Sequence, residues 1–255
     1  LLPCYNEQES LPYLLRSIHE MVCSADFDCE VVVIDDGSCD GTVSAAEDWS
    51  DRLDIKVIRH DTNVGLGGAV NSGLFYFCSV CGLRDVAVVM DGDNTHNPAL
   101  IPLMAEMIKY GSDVTIASRY RRGGGEIGLS LLRRLCSASA SMLLYLFFRI
   151  PNVTDYTCGY RAYTARIIKG AYAAYEDRFI EEKGFTCMTE ILIKLNCLGC
   201  EFSEVPLVLR YDLKKGRSKM KFVSTIERYF IMMLSSRRYR SYLRPDPALS
   251  EGKGK

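Results

Sequence analysis

Two aspartates one residue apart, Asp91 and Asp93, close an apolar run, Asp85-Val-Ala-Val-Val-Met-Asp-Gly-Asp. Carboxylates that near each other repel unless a cation neutralises them. Hard oxygen donors suit Mg²⁺ or Mn²⁺, and such an ion commonly completes its shell with substrate phosphates. The pair therefore points to a site for a diphosphate-bearing substrate. Alone, Asp-x-Asp is more often a turn or solvated surface; position lifts the metal reading above that. Residues 86–90 read as a short buried parallel strand, and open α/β sheets bind ligands where their strands end.

Other candidate groups fall at similar places. Asp35 or Asp36, in Asp35-Asp36-Gly37-Ser38, can accept from a base N–H or a ribose hydroxyl, and Gly37 permits a sharp turn into the next helix. Ser38 or Asp40 would cap that helix as well. Gly65, Gly67 and Gly68 open another helix and allow close backbone approach to a nucleotide, although such a start also serves packing alone.

The elements that must position these groups alternate. Strands are expected at 1–2, 30–34, 54–59, 86–90 and 113–117, with helices at 9–22, 41–49, 65–78 and 98–110. This is the pattern of a doubly wound, mostly parallel α/β sheet. The first helix places Leu11, Leu14, Leu15, Ile18 and Val22 on one face. After Arg119 the character changes. We expect a Gly-rich basic loop at 120–128, a helix at 129–149, an extended run at 154–163, helices at 166–175 and 187–198, and a strand at 204–211. A basic amphipathic helix at 218–234 precedes a disordered tail at 237–255. One domain, 1–236, would comprise a nucleotide-sugar half (1–118) and an acceptor half (119–236).

The net charge of −1 hides an asymmetry. Residues 1–60 carry four Lys and Arg against thirteen Asp and Glu, whereas residues 210–240 carry ten against two. A basic C-terminal face could meet phosphates, nucleic acid or an anionic membrane, or simply be solvated. Eleven cysteines without a signal peptide indicate free thiols in a reducing compartment. Two Cys-x-x-Cys pairs, Cys78/Cys81 and Cys197/Cys200, could in principle form a zinc site, a reading their separation disfavours. No run reaches the about 20 apolar residues of a membrane span. The chain begins in mid-strand without Met, so further N-terminal residues are expected.

Five motifs, in order, carry a resemblance: Pro3-Cys4-Tyr5-Asn6-Glu7, Asp35-Asp36-Gly37-Ser38, Asn63-Val64-Gly65-Leu66-Gly67-Gly68, Asp91-Gly92-Asp93, and Arg133-Arg134-Leu135-Cys136-Ser137. From Leu1 to about Met220 the chain resembles a family 2 glycosyltransferase of the GT-A fold, most like those that load a sugar onto a polyprenyl phosphate. The resemblance implies that Pro3, Tyr5, Glu7, Asp35, Asp36 and Gly65 line the nucleoside pocket, with Asp91 and Asp93 holding Mg²⁺ or Mn²⁺ on the diphosphate. It implies that Arg119, Arg133 and Ser137 hold the acceptor phosphate, and that Arg210 and Lys219 close over the donor diphosphate. Asp155 falls near the family's inverting base, and Glu190 at an acidic position that would bind donor hydroxyls. Thr95 departs from the family's usual Gln ligand, which puts metal identity in doubt. His96 reads as a ligand or, preferably, a loop residue.

Such an enzyme would be metal-dependent and inverting, with GDP-mannose or a UDP-sugar as donor. A phosphate monoester, its second pKa near ~6, needs no base; a saccharide hydroxyl would need one, and Asp155 is the candidate. A third reading is a nucleotide-sugar-binding protein without catalysis. The lipid acceptor implies a peripheral protein at the cytoplasmic face of a membrane, alone or beside a membrane-spanning partner, with no nucleic acid. Lys219, Lys221 and Arg228 around Phe222, Tyr229 and Phe230 suit an interfacial helix or a packed one with its basic side wet.

Overall fold

The structure, a computed structural model, describes residues 1–25, 27–215 and 222–235. The first half alternates as expected: β1 (Leu2–Cys4), α1 (Leu11–Ser24), β2 (Glu30–Asp35), α2 (Thr42–Glu47), β3 (Asp54–Arg59), α3 (Leu66–Val80), β4 (Val86–Val89), α4 (Ile101–Lys109) and β5 (Val114–Ser118). β2 lies between β1 and β3, all parallel, with Leu2 opposite Val33 and Asp35 opposite Arg59. Val31 to Ile34 are all buried, because helices cover both faces of this central strand. α1 packs through Leu11, Leu14, Leu15, Ile18 and Met21, a helical stripe in which Met21 rather than Val22 takes the innermost place.

Past β5 come β6 (Gly125–Ile127), α5 (Leu131–Phe148), β7 (Arg161–Thr164), α6 (Ala165–Tyr175), α7 (Cys187–Cys197), β8 (Phe202–Pro206), β9 (Val208–Arg210) and α8 (Phe222–Ser235). β7 inserts between β4 and β5 and runs antiparallel to both, while β8 pairs parallel with β5. Leu1 joins the two sheets. Its amine donates to Val88 O at 2.7 Å, and its carbonyl accepts from Met90 N–H at 3.1 Å, the pattern of a parallel pair. The strands therefore run β3-β2-β1-β4-β7-β5-β8. Reversing β7 matters for the site: its entry, the 153–160 segment, lies at the rim where β4 and β5 exit.

Three expectations are corrected. The Gly-rich 120–128 segment is not all loop: Gly125–Ile127 forms β6 and pairs parallel with β9. The single strand at 204–211 is two strands, because Pro206 has no N–H to donate and the chain changes sheets at Leu207. Leu207 N–H goes to Ser118 O (2.8 Å), while its carbonyl accepts from Gly125 N–H (2.9 Å). The extended run at 154–163 shrinks to β7, since Asp155 Oδ1 captures the N–H groups of Thr157 (3.3 Å) and Cys158 (3.1 Å) and folds the segment into a turn.

Candidate active site at the rim of the sheet

Each carboxylate at the rim has a distinct local duty. Asp36 is a clamp: Oδ1 accepts from Val64 N–H (2.9 Å) and faces His60 Nδ1 (2.8 Å), while Oδ2 accepts from Gly65 N–H (2.8 Å). It thereby fixes the turn that starts α3. Asp35, also fully buried, uses Oδ1 for Ser38 N–H (3.2 Å), but its Oδ2 has no hydrogen-bond partner. The nearest cation to that oxygen, Arg59 Nε, is 3.5 Å away on a largely exposed side chain. Asp35 is thus the member of the pair with an acceptor to spare. Glu7 ends the β1 motif with its N–H on Thr42 Oγ1 (2.9 Å), which ties Pro3, Tyr5 and Glu7 to the start of α2.

For two of the glycines the structure shows the packing use. A Cβ on Gly67 would meet Glu182 O at 1.8 Å, and one on Gly65, whose φ is +92°, would meet Lys183 O at 2.5 Å. Gly67 N–H donates to Lys183 O at 3.0 Å. The close approach these glycines permit is that of the chain's own 182–183 segment. Glu190 holds the same segment from the other side: Oε2 accepts from the N–H groups of Glu181 (2.9 Å) and Glu182 (2.8 Å), and Oε1 from Lys194 Nζ (2.7 Å). Burial, against that partner, still leaves the Glu190 carboxyl above its usual range.

Asp91 and Asp93 follow β4. The Asp91 N–H donates to His96 Nδ1 (3.1 Å), and the His96 ring stacks on Tyr160, so the histidine shapes the loop. No donor among the described residues reaches the Asp91 carboxylate; burial, partly offset by His96 and reinforced by Asp93, raises its pKa. Asp93 is the opposite case. Thr95 gives it both its N–H (3.2 Å) and its hydroxyl (2.6 Å) at Oδ1, and Lys214 sits on Oδ2 at 2.5 Å. Burial would raise the Asp93 carboxyl, but Lys214 outweighs it and holds it below the usual range. Two neighbouring carboxylates, one of them without a donor among the described residues, are a hard oxygen set that fits a divalent cation, with Lys214 now holding the second. Sequence reasoning missed Lys214, whose only signal was its place in a basic run.

Across the rim, Arg119 leaves β5 into a dense network. Its Nε and Nη2 grip Asp155, Nη1 reaches Glu126 (3.0 Å) and Ser137 Oγ (3.1 Å), and Nη2 also meets Thr157 Oγ1 (2.7 Å). Tyr120 OH lies 3.3 Å from Ser137 Oγ. Glu204 fixes the turn around Asp155 by accepting from Thr154 N–H (2.7 Å) and Asp155 N–H (2.8 Å). Arg161, fully buried, donates to the carbonyls of Tyr156, Cys158 and Met188. Glu126, Thr157 and Glu204 were not foreseen, because they come from a segment read as loop, a turn read as extended, and the split strand. Arg210 pairs with Asp212 through Nη2 (2.8 Å), and its N–H donates to Thr95 O (3.0 Å), which links β9 to the Asp93 loop. Lys219 and the side chain of Arg133 lie outside the described residues. Among the described residues no three metal-ligating side chains cluster, so the two Cys-x-x-Cys pairs do not meet.

The chain matches a known family. The glycosyl transferase family 2 profile matches residues 1–171. The chain belongs to that family. This glycosyltransferase is 34% identical over 223 residues to the dolichol-phosphate mannosyltransferase of Pyrococcus furiosus, covering 87% of the chain and 58% of that relative, so it spans little more than half the relative's length. It is 33% identical to the undecaprenyl-phosphate mannosyltransferase of Micrococcus luteus over 86% of each. The glucosyl-3-phosphoglycerate synthase of Mycobacterium tuberculosis, solved with Mn²⁺, UDP and product, superposes with a TM-score of 0.63 at 19% identity, over 96% of this chain and 79% of that one. The same synthase is also known with Mg²⁺ and UDP. The fold of this glycosyltransferase is GT-A.

Proposed function

We propose that this glycosyltransferase moves a hexose, with mannose from GDP-mannose the first choice and a UDP-sugar the second, onto a polyprenyl phosphate with inversion. The observation that carries the reading is the state of Asp155. It is fully buried, doubly gripped by Arg119, and its carboxyl lies below the usual range because Arg119 outweighs the cost of burial. A carboxylate so held is a poor proton acceptor, which disfavours a saccharide hydroxyl as nucleophile. A phosphate monoester is mostly a dianion above about pH 6 and attacks without a base. The mannosyltransferases of Pyrococcus and Micrococcus, named for polyprenyl phosphate acceptors, support the same choice.

In this reading Asp35 and the Pro3–Glu7 motif seat the nucleoside, and Asp91 with Asp93 holds Mg²⁺ or Mn²⁺. The bound cation supplies charge stabilisation for the departing diphosphate. Arg119, Ser137 and Tyr120 orient the acceptor phosphate; the family resemblance would add Arg133 there, and Arg210 with Lys219 over the donor diphosphate. The acceptor oxygen forms its bond to the anomeric carbon as the bond to the diphosphate breaks on the opposite face. The arginines need only aim the nucleophile.

A lipid acceptor requires contact with a membrane surface. No helix among the described residues is long and apolar enough to cross a bilayer. Exposed apolar side chains instead line α5 (Leu131, Leu135, Met142, Leu146) and α8 (Phe230, Leu234), which would rest against lipid at its cytoplasmic face. The test is label transfer: protein, Mn²⁺, GDP-[¹⁴C]mannose or UDP-[¹⁴C]glucose, and dolichyl or undecaprenyl phosphate in detergent. Label should enter the organic phase with one donor. Label passing only to water or to a soluble saccharide would overturn the reading.

A further inference from the structure

Lys214 occupies the ground a metal needs. Asp93 Oδ1 is committed to Thr95, so Oδ2 is the oxygen left for a cation, and Lys214 Nζ lies 2.5 Å from it with both side chains almost wholly buried. A divalent ion binds carboxylate oxygen at about 2.0–2.2 Å, and an ammonium on the same oxygen would face it as a like charge. The two cannot share Oδ2 at low cost. We propose that Lys214 is the counter-ion of the metal-free enzyme, displaced from Asp93 when the divalent cation binds and releasing the 211–215 turn. The proposal rests on the metal site argued above and concerns a residue to which that reading assigns no role.

Geometry around the turn supports a two-state arrangement. The Lys214 ammonium lies 5.7 Å from the centre of the Tyr211 ring. An ammonium leaving Asp93 thus keeps an aromatic face nearby. The main-chain ties of the turn are weaker: Lys214 N–H to Tyr211 O at 3.3 Å and Lys215 N–H to Ser10 Oγ at 3.4 Å. Lys214 to Asp93 is the one charged tie from the turn to the metal loop among the described residues.

The test needs no turnover. Free Mn²⁺ is titrated by electron paramagnetic resonance into wild type, Lys214→Met, Lys214→Arg and Asp91→Asn, without nucleotide. Lys214→Met should bind Mn²⁺ about tenfold more tightly than wild type, while Lys214→Arg, still cationic, stays within about threefold. Hydrogen exchange at the 211–215 amides should quicken on adding Mn²⁺ to wild type and be fast throughout in Lys214→Met. Unchanged or weaker Mn²⁺ affinity in a natively folded Lys214→Met overturns the proposal, as does exchange that ignores the metal. If Asp91→Asn binds Mn²⁺ as well as wild type does, the metal site itself is misplaced. If Asp91→Asn abolishes binding while Lys214→Met changes nothing, only the role of Lys214 falls.

Discussion

The guanidinium of Arg119 holds the Asp155 carboxylate with two prongs, Nε to Oδ2 at 2.8 Å and Nη2 to Oδ1 at 2.7 Å. The side chains are 9% and 0% exposed, so removing either charge strands the other away from water. Asp155→Asn should therefore cost about 3–5 kcal/mol of stability, measured by urea unfolding. The folded carboxyl titrates below its unfolded value, so this stabilisation is fully present above about pH 4 and fades as pH falls through the folded value. The difference between wild type and Asp155→Asn should be flat from about pH 5 to 8 and shrink below about pH 4. A difference that grew on acidification would contradict the assignment.

Neighbouring aspartates with opposite duties should separate by assay. Asp36→Ala orphans the N–H groups of Val64 and Gly65 and should lose roughly 1–3 kcal/mol of stability. Asp35→Asn removes a buried charge with an unpartnered oxygen, so stability should hold or rise while donor KM climbs about tenfold. Thermal melts alongside donor titration decide; stability loss at both positions with donor KM unmoved would refute the division.

Much of this was legible in the residues. Apolar runs ending in acidic or Gly-rich motifs located β1, β2 and β4, and with them Asp35, Asp36, Asp91 and Asp93. What escaped was set by long-range pairing. β6 is three residues long and exists because β9 lies beside it, and the break at Pro206 is visible only once Leu207 is seen between two strands. Lys214 reaches Asp93 across 121 residues, and no local pattern encodes such a pair. Gly67 was left between nucleotide approach and packing, because sequence cannot say which backbone fills the space.

Gly67 supplies the next prediction. Alanine there would put its Cβ 1.8 Å from Glu182 O, so the 181–184 segment must move. We expect a loss of about 1–3 kcal/mol in urea, with faster proteolysis between Phe179 and Thr186. A Gly67→Ala protein as stable as wild type would show that the segment does not rest there.

Glu126 competes for the cations that the acceptor phosphate would use, lying 3.0 Å from Arg119 Nη1 and 3.7 Å from Arg134 Nε. Glu126→Gln should lower the polyprenyl phosphate KM by roughly threefold, because it frees guanidinium N–H groups for the phosphate, and leave donor KM unchanged. A raised acceptor KM would mean that Glu126 positions Arg119 instead.

The proposed reaction depends on a divalent ion shared by Asp91, Asp93 and a nucleotide diphosphate. Anomalous diffraction from a crystal soaked with Mn²⁺ and GDP tests it most directly. A manganese peak within about 2.0–2.4 Å of both carboxylates and of diphosphate oxygens is the predicted result. A peak elsewhere, or nucleotide bound with Lys214 still seated on Asp93 and no metal present, would contradict it.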